Sequence, residues 1–181
     1  RNAPSTAIVS FNAQNLGAGR HDRIRRGTVK SLLIGLAMYL ILGGVGMLLT
    51  IRGAYQYLFM SADKITAATI RYGNLYLYVD LSMYFALMVL FVFRSGVQGV
   101  GHAEFTLVAG CAELIARVGL RAFLPKFVNG GAIDSSASVG AYIALCFGDP
   151  GAWVLAVVSL IYPVTRYLFG GARKKPSEHA A

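Results

Sequence analysis

Long apolar stretches alternate with short polar segments along most of the chain. The clearest stretch is 31–51, which contains no charged residue. A helix needs about 20 mostly apolar residues to cross a bilayer, so this stretch predicts a transmembrane helix. The same pattern predicts further spans at 75–93, 105–125 and 152–170, and the end of an earlier helix at 5–15. We therefore expect an all-α, polytopic membrane helical bundle with about four full transmembrane helices plus the end of a fifth.

The segments between these spans predict boundaries. The glycine-rich segment 94–102 predicts a short turn, and 65–72 predicts a short helix lying in the membrane interface. The segment 139–147 is apolar but too short to span a bilayer alone. Pro125 is expected to end the third span, because proline cannot continue the helical hydrogen-bond ladder.

Composition supports a membrane class. Hydrophobic residues make up 56% of the 181 residues and charged residues 14%, whereas soluble domains carry about 25% charged residues. Cys111 and Cys146 lie in apolar stretches and are predicted to be small buried hydrophobes. No Cys/His cluster or catalytic set of side chains is present in the sequence. We therefore predict no metal site, no cofactor and no enzymatic activity.

The net charge of +9 is concentrated outside the apolar stretches. Four spans would place the residues before the first span and those after the fourth on one side, and the positive-inside rule makes that side cytoplasmic. Loop 16–30 and the tail 172–181 are therefore predicted to be cytoplasmic, in the plasma (inner) membrane of the cell. Nucleic acid is not an expected partner, because the basic segment is short and has no interleaved aromatic residues. The basic residues concerned are Arg20, Arg23, Arg25, Arg26 and Lys30, and in the tail Arg173, Lys174 and Lys175.

Three short motifs follow one another along the chain. In the first, Gly17 and Gly19 predict a tight turn after the incomplete helix; the basic run behind it also fits an ordinary positive-inside loop. Together the motifs resemble those of the multidrug and toxic compound extrusion (MATE) family. The motifs are Gln14-Asn15-x-Gly17-Ala18-Gly19, Arg94-Ser95-x-x-Gln98-Gly99-x-Gly101 and Ala109-Gly110-x-x-Glu113-x-x-x-Arg117.

The resemblance implies twelve spans in two six-helix lobes. Residues 1–171 would form the last four helices of one lobe and the end of the helix before them. The short basic tail favours the C-terminal lobe, and because the chain begins at Arg1 and not Met, we expect further residues to precede it. The missing N-terminal lobe would then be a partner, together with the lipid bilayer. The implied activity is export of small organic, often cationic, drugs or toxic compounds, coupled to H⁺ or Na⁺.

Charged residues inside the predicted spans are the first site candidates. Glu113 and Arg117 stand at i and i+4, so they can pair on one helix face, either as a structural ion pair or as an ion-coupled switch. Asp80 lies near the start of the predicted second span. It could bind a proton or cation, as ion-coupled transporters require, or it could be a boundary residue facing water. The resemblance implies an acid deeper in this helix.

Aromatic residues of the second span are candidates for a substrate cavity. Their rings could hold flat cations through cation–π contact, or they could pack against lipid and other helices. The aromatic cavity candidates are Tyr76, Tyr84 and Phe85, and Gln98, in the segment that follows the span, is a further candidate.

Two other functions remain open from the sequence. One is a flippase for lipid-linked precursors from the same superfamily, which an arginine-lined central cavity would favour. The other is a membrane scaffold subunit that transports nothing itself.

Overall fold

The computed structural model describes residues 3–134 and 137–170, and within them every regular element is a helix. The all-α prediction is therefore confirmed. The α-helices are α1 (Ala3–Gly17), α2 (His21–Thr50), α3 (Ala67–Gly99), α4 (Ala103–Asn129), α5 (Val139–Cys146) and α6 (Gly148–Pro163). Two 3₁₀-helices, Ile51–Leu58 and Ala62–Lys64, join α2 to α3, and a π-helix, Val164–Phe169, continues α6.

Three of these segments are long and apolar enough to cross a membrane, namely α2, α3 and the nearly continuous segment Val139–Phe169. At about 1.5 Å per residue, the 30 residues of α2 extend beyond a hydrocarbon core of about 30 Å. The helix α4 carries more charge and packs mainly against α6 and α5. It was predicted as a further span but is not one of these three segments, and its charged side chains contact neighbouring helices, as described below.

The structure corrects several predicted boundaries. Segment 94–102 is not a turn, because α3 continues to Gly99 and only 100–102 reverse the chain, with Gly101 at φ 88°. Segment 65–72 is not a separate interfacial helix: Thr66 and Thr69 form a capping box that starts α3 there. Loop 16–30 is shorter than predicted, because α2 already begins at His21.

Two further boundaries differ near the end of the chain. Pro125 does not end α4, which continues to Asn129 and is capped by Gly130 in the left-handed region. The fourth span begins at Val139 and not at 152, because only Phe147 separates α5 from α6. Pro150 is compatible with this continuity, since the first turn of a helix does not need its backbone N–H. The tail 172–181 lies outside the described residues.

The core of the bundle lies along α6. Ala152, Ala156 and Leu160 of this helix are fully buried. Small side chains let α3 and α4 approach α6 from two sides, with Leu90 and Ala109 completing the core. Cys146 is buried as predicted, but Cys111 is exposed on the outer surface of α4, so that prediction was wrong.

Successive crossings run in opposite directions. The chain reversals at 18–20 and 100–102 therefore lie at one end of the bundle, which we call the basic end. The stacking of the His102 ring on Tyr167, with centroids 3.7 Å apart, places the π-helix at the same end. Segments 51–66 and 130–134 lie at the opposite end.

Candidate functional site

Five charged side chains from α3, α4 and α6 form a continuous row, which we call the ion ladder. Glu113 accepts from Arg94 at 3.0 Å through one carboxylate oxygen and from Arg117 at 2.8 Å through the other. Arg117 Nε also lies 2.8 Å from Asp149 Oδ1, an ionic contact without the alignment of a hydrogen bond. Arg121 donates to the second oxygen of Asp149. The ladder thus ties three helices together.

Local spacing explains the α4 part of the ladder. Glu113, Arg117 and Arg121 recur every four residues, so they share one helix face. The i,i+4 pair of Glu113 and Arg117 is present as its spacing predicted. Asp149, which sequence reasoning missed, stands in the first turn of α6, where the helix dipole favours an acid. The Gly-Asp-Pro sequence signals a helix start, but nothing in it shows which helix the carboxylate faces.

The ladder pairs both of its acids with arginines inside the bundle. Glu113 and Asp149 are each 17% exposed, and each contacts two guanidinium groups. An unpaired charge near the centre of a bilayer costs at least about 2.5–3.5 kcal/mol on insertion scales. Pairing therefore lowers the cost of holding the charged side chains of α4 within a bilayer.

Asp80 is a buried acid close to the ladder. It is the 14th of the 33 residues of α3, near the middle of the helix, and 7% exposed. The prediction of a boundary residue facing water was wrong, because α3 begins at Ala67, well before the predicted start at 75. Its Oδ1 has no hydrogen-bond partner within 3–134 and 137–170. Arg121 and Asp149 lie close enough to interact with it electrostatically.

An open, mainly apolar cavity of about 720 Å³ lies between α1, α2 and α3. Of the four predicted cavity residues, Tyr84 lines it, and the same ring packs 5.6 Å from Trp153 of α6. Gln98 lines a different groove, of about 470 Å³, beside α4. Tyr76 and Phe85 line neither, and Phe85 packs edge-on against Tyr39. A single cavity formed by all four residues is therefore not what this structure shows.

The first motif forms the reversal between α1 and α2. Gly17 ends α1 and Gly19 has a φ of 67°, so the predicted tight turn is present. Asn15 is buried, and its side-chain amide donates to the Phe11 carbonyl at 2.8 Å. The backbone carbonyl of Asn15 accepts from the Arg20 N–H at 2.8 Å. Gln14 is exposed. The motif therefore fixes how the chain leaves α1.

Asn12, three residues before Asn15, was not singled out from the sequence. It is 1% exposed and donates to the Gly96 carbonyl of α3 at 3.3 Å. A Cβ on Gly99 would lie 2.8 Å from both Asn12 Cβ and the Val9 carbonyl oxygen. Val9 and Asn12 of α1, which precede the first motif, and Gly96 and Gly99 of α3 are thus two sides of one helix contact. A polar residue opposite small residues is the signal that could have indicated it.

A second polar contact closes the basic end. His102 Nδ1 lies 2.8 Å from Glu104 Oε1 in the α3–α4 reversal. Glu104 stands in the first turn of α4, ahead of the apolar stretch, and the hydrogen bond with His102 lowers the pKa of its carboxyl group. Together with the stacking on Tyr167, this contact orients the reversal against the π-helix.

Comparison with known proteins identifies the family. A family model described as MatE matches residues 3–122, which are 120 of the 181 residues. The matched region includes Asp80 and the three α4 residues of the ion ladder, whereas Asp149 lies beyond it. No curated protein and no solved structure matches the chain. With its long apolar helices, the chain is a multi-pass membrane protein that belongs to the MatE family of membrane transporters.

Proposed function

We propose that this chain forms part of a cation-coupled antiporter that exports organic, often cationic, compounds across the cell membrane. The observation that carries the proposal is the carboxylate of Asp80, which is buried near the middle of α3 with one oxygen unpartnered among the described residues. Ionisable residues inside transmembrane helices mark ion and proton pathways. The free oxygen can accept a proton or bind Na⁺.

Cation binding at Asp80 would change the balance of charge at one end of the ion ladder. Arg121 is attracted by the Asp80 carboxylate and held by Asp149. Once Asp80 is neutral, the attraction between α3 and α4 weakens while the α4–α6 contact remains. Such a change biases the packing of α3 against its neighbours, which is the kind of step that alternating access requires.

The cavity beside Tyr84 supplies a route for an organic substrate. Tyr84 is four residues from Asp80, so the two share one face of α3. None of the cavity-lining residues that the structure describes is charged. Aromatic and aliphatic walls suit apolar or cationic organic compounds. The complete substrate site would also include the other lobe of the transporter.

Arginine pairing makes the antiporter a better explanation than the flippase. A flippase for lipid-linked precursors would need free guanidinium groups facing its substrate. Arg94, Arg117 and Arg121 are instead bound to Glu113 and Asp149. No observation favours the scaffold subunit.

We expect replacement of Asp80 by Asn in the complete transporter to abolish substrate efflux driven by a proton or sodium gradient. Efflux of a fluorescent cationic dye from proteoliposomes, under one imposed gradient at a time, provides the measurement. Asp80→Glu is the matched control and should retain part of the coupling, because it keeps the carboxylate. Unchanged gradient-driven efflux by Asp80→Asn would contradict the proposal.

A further inference from the structure

Four consecutive apolar side chains project from the end of the bundle opposite the basic end. They follow one another at 57–60, and we call them the apolar tip: Tyr57, Leu58, Phe59 and Met60. Phe59 is 84% exposed, Leu58 71% and Tyr57 61%. Isolated exposed apolar side chains are ordinary, whereas a contiguous group marks a surface that contacts lipid or another apolar partner.

The apolar tip is held firmly by the rest of the α2–α3 connection. The buried side chain of Gln56 donates to the Thr69 carbonyl of α3 at 2.8 Å. Its backbone carbonyl accepts from the N–H groups of Phe59 and Met60, at 3.0 and 2.8 Å. Gly53, at φ 70°, lets the chain turn tightly against Ile70. The tip therefore presents its side chains in a fixed direction.

The neighbouring surfaces show which environment the tip faces. Leu48 and Leu49, at the end of α2, and Ile51, at the start of the connection, are exposed apolar residues. Because α2 is a membrane span, this surface faces lipid. On the other side of the tip, Ser61, Asp63 and Lys64 are exposed and polar. The sequence thus changes from apolar to polar across the tip, as expected at the boundary between hydrocarbon and water.

We propose that the apolar tip is a membrane-interface anchor that inserts between lipid acyl chains at this end of the bilayer. Interfacial helices bury their apolar face about 5–10 Å into the boundary between headgroups and acyl chains. Tyr57, with an apolar ring and a polar hydroxyl group, is of the type that concentrates there. The anchor fixes the depth of the α2–α3 hairpin in the membrane. It is independent of the proposed transport activity.

Site-directed spin labelling of the full chain in phosphatidylcholine vesicles tests this proposal. The background carries Cys111→Ser and Cys146→Ala, and single labels are introduced at Phe59→Cys, at Asp63→Cys as the polar control and at Leu40→Cys as the lipid control. Collisions of the spin label with oxygen show that the label lies in hydrocarbon. Collisions with a water-soluble nickel complex show that it lies in water. We expect the oxygen-to-nickel ratio at position 59 to be several-fold higher than at position 63 and to approach that at position 40.

Two other results would overturn the proposal. A label at position 59 with the same high nickel accessibility as position 63 would place the tip in water. Low accessibility to both reagents at position 59 would mean that protein covers the tip. Thermal unfolding of each labelled chain verifies folding, and Leu58→Cys gives a second position within the tip should Phe59→Cys fail to fold.

Discussion

Glu113 shows how single residues make a charged helix compatible with the membrane. Its two carboxylate oxygens bind arginines from two different helices, Arg94 of α3 and Arg117 of α4. Arg117 has a second acid nearby in Asp149, whereas Glu113 is the ion-pair partner of Arg94 in the described part of the chain. Loss of Glu113 therefore affects Arg94 most.

We predict that Glu113→Gln lowers the free energy of unfolding in detergent by about 1–3 kcal/mol, because a partly buried guanidinium loses its counterion. Removing the orphaned charge as well, in Glu113→Gln/Arg94→Gln, should recover part of the loss. Thermal unfolding of the two single variants and the double variant measures the coupling. Glu104→Gln, an exposed position on the same helix, is the control for a glutamate change without buried pairing. Additive losses in the double variant would contradict a direct interaction.

At the scale of elements, close contact between α1 and α3 depends on small residues. Gly99 leaves room for Asn12, which donates to the carbonyl of Gly96. A Cβ on Gly99 would meet the backbone carbonyl oxygen of Val9 in α1. Backbone cannot move aside as a flexible side chain can. Of the two glycines in the second motif, Gly99 thus serves helix packing, whereas Gly101 serves the reversal at 100–102.

Gly99→Ala should therefore destabilise the protein by about 1–3 kcal/mol, since α1 and α3 must separate to admit a methyl group. Gly119→Ala on α4 is the matched control: nothing lies within 4 Å of a Cβ there, and alanine favours the helix by up to about 1 kcal/mol. The difference in unfolding temperature between the two variants measures the effect. Equal unfolding temperatures would show that the two helices do not pack closely at Gly99.

At the scale of the whole molecule, antiparallel packing of successive helices brings the reversals at 18–20 and 100–102 and the π-helix to one end. Exposed arginines and a lysine occupy the end of the bundle near 18–20, and Arg166 lies in the π-helix at the same end. The positive-inside rule predicts that this end faces the cytoplasm. On that prediction the apolar tip would lie on the outer side of the membrane.

We predict that an impermeant maleimide added to intact cells labels Ser61→Cys but not Ala18→Cys in the cysteine-free background. Both positions are exposed, so membrane sidedness alone should separate them. Permeabilised cells provide the control, because both positions should then react. Labelling of Ala18→Cys from outside would reverse the orientation.

The sequence by itself determined the all-α membrane class and located the three long apolar segments, because a run of about 20 apolar residues is a signal that lies along the chain. It also determined the Glu113–Arg117 pair and the turn at Gly17 and Gly19, since both depend on residues within one turn of each other. Element ends were less predictable: Pro125 and the glycines at 96 and 99 are locally helix-breaking, but packing keeps them helical.

Only the tertiary structure decided which helix faces which. The partners of Asp149 and Asn12 come from elements distant in sequence, and the burial of Asp80 depends on the helices packed around α3. A helical period places a side chain on a face, but it does not specify what that face meets. For that reason the ion ladder, the α1–α3 contact and the exposed direction of the apolar tip were visible only after the helices had been packed together.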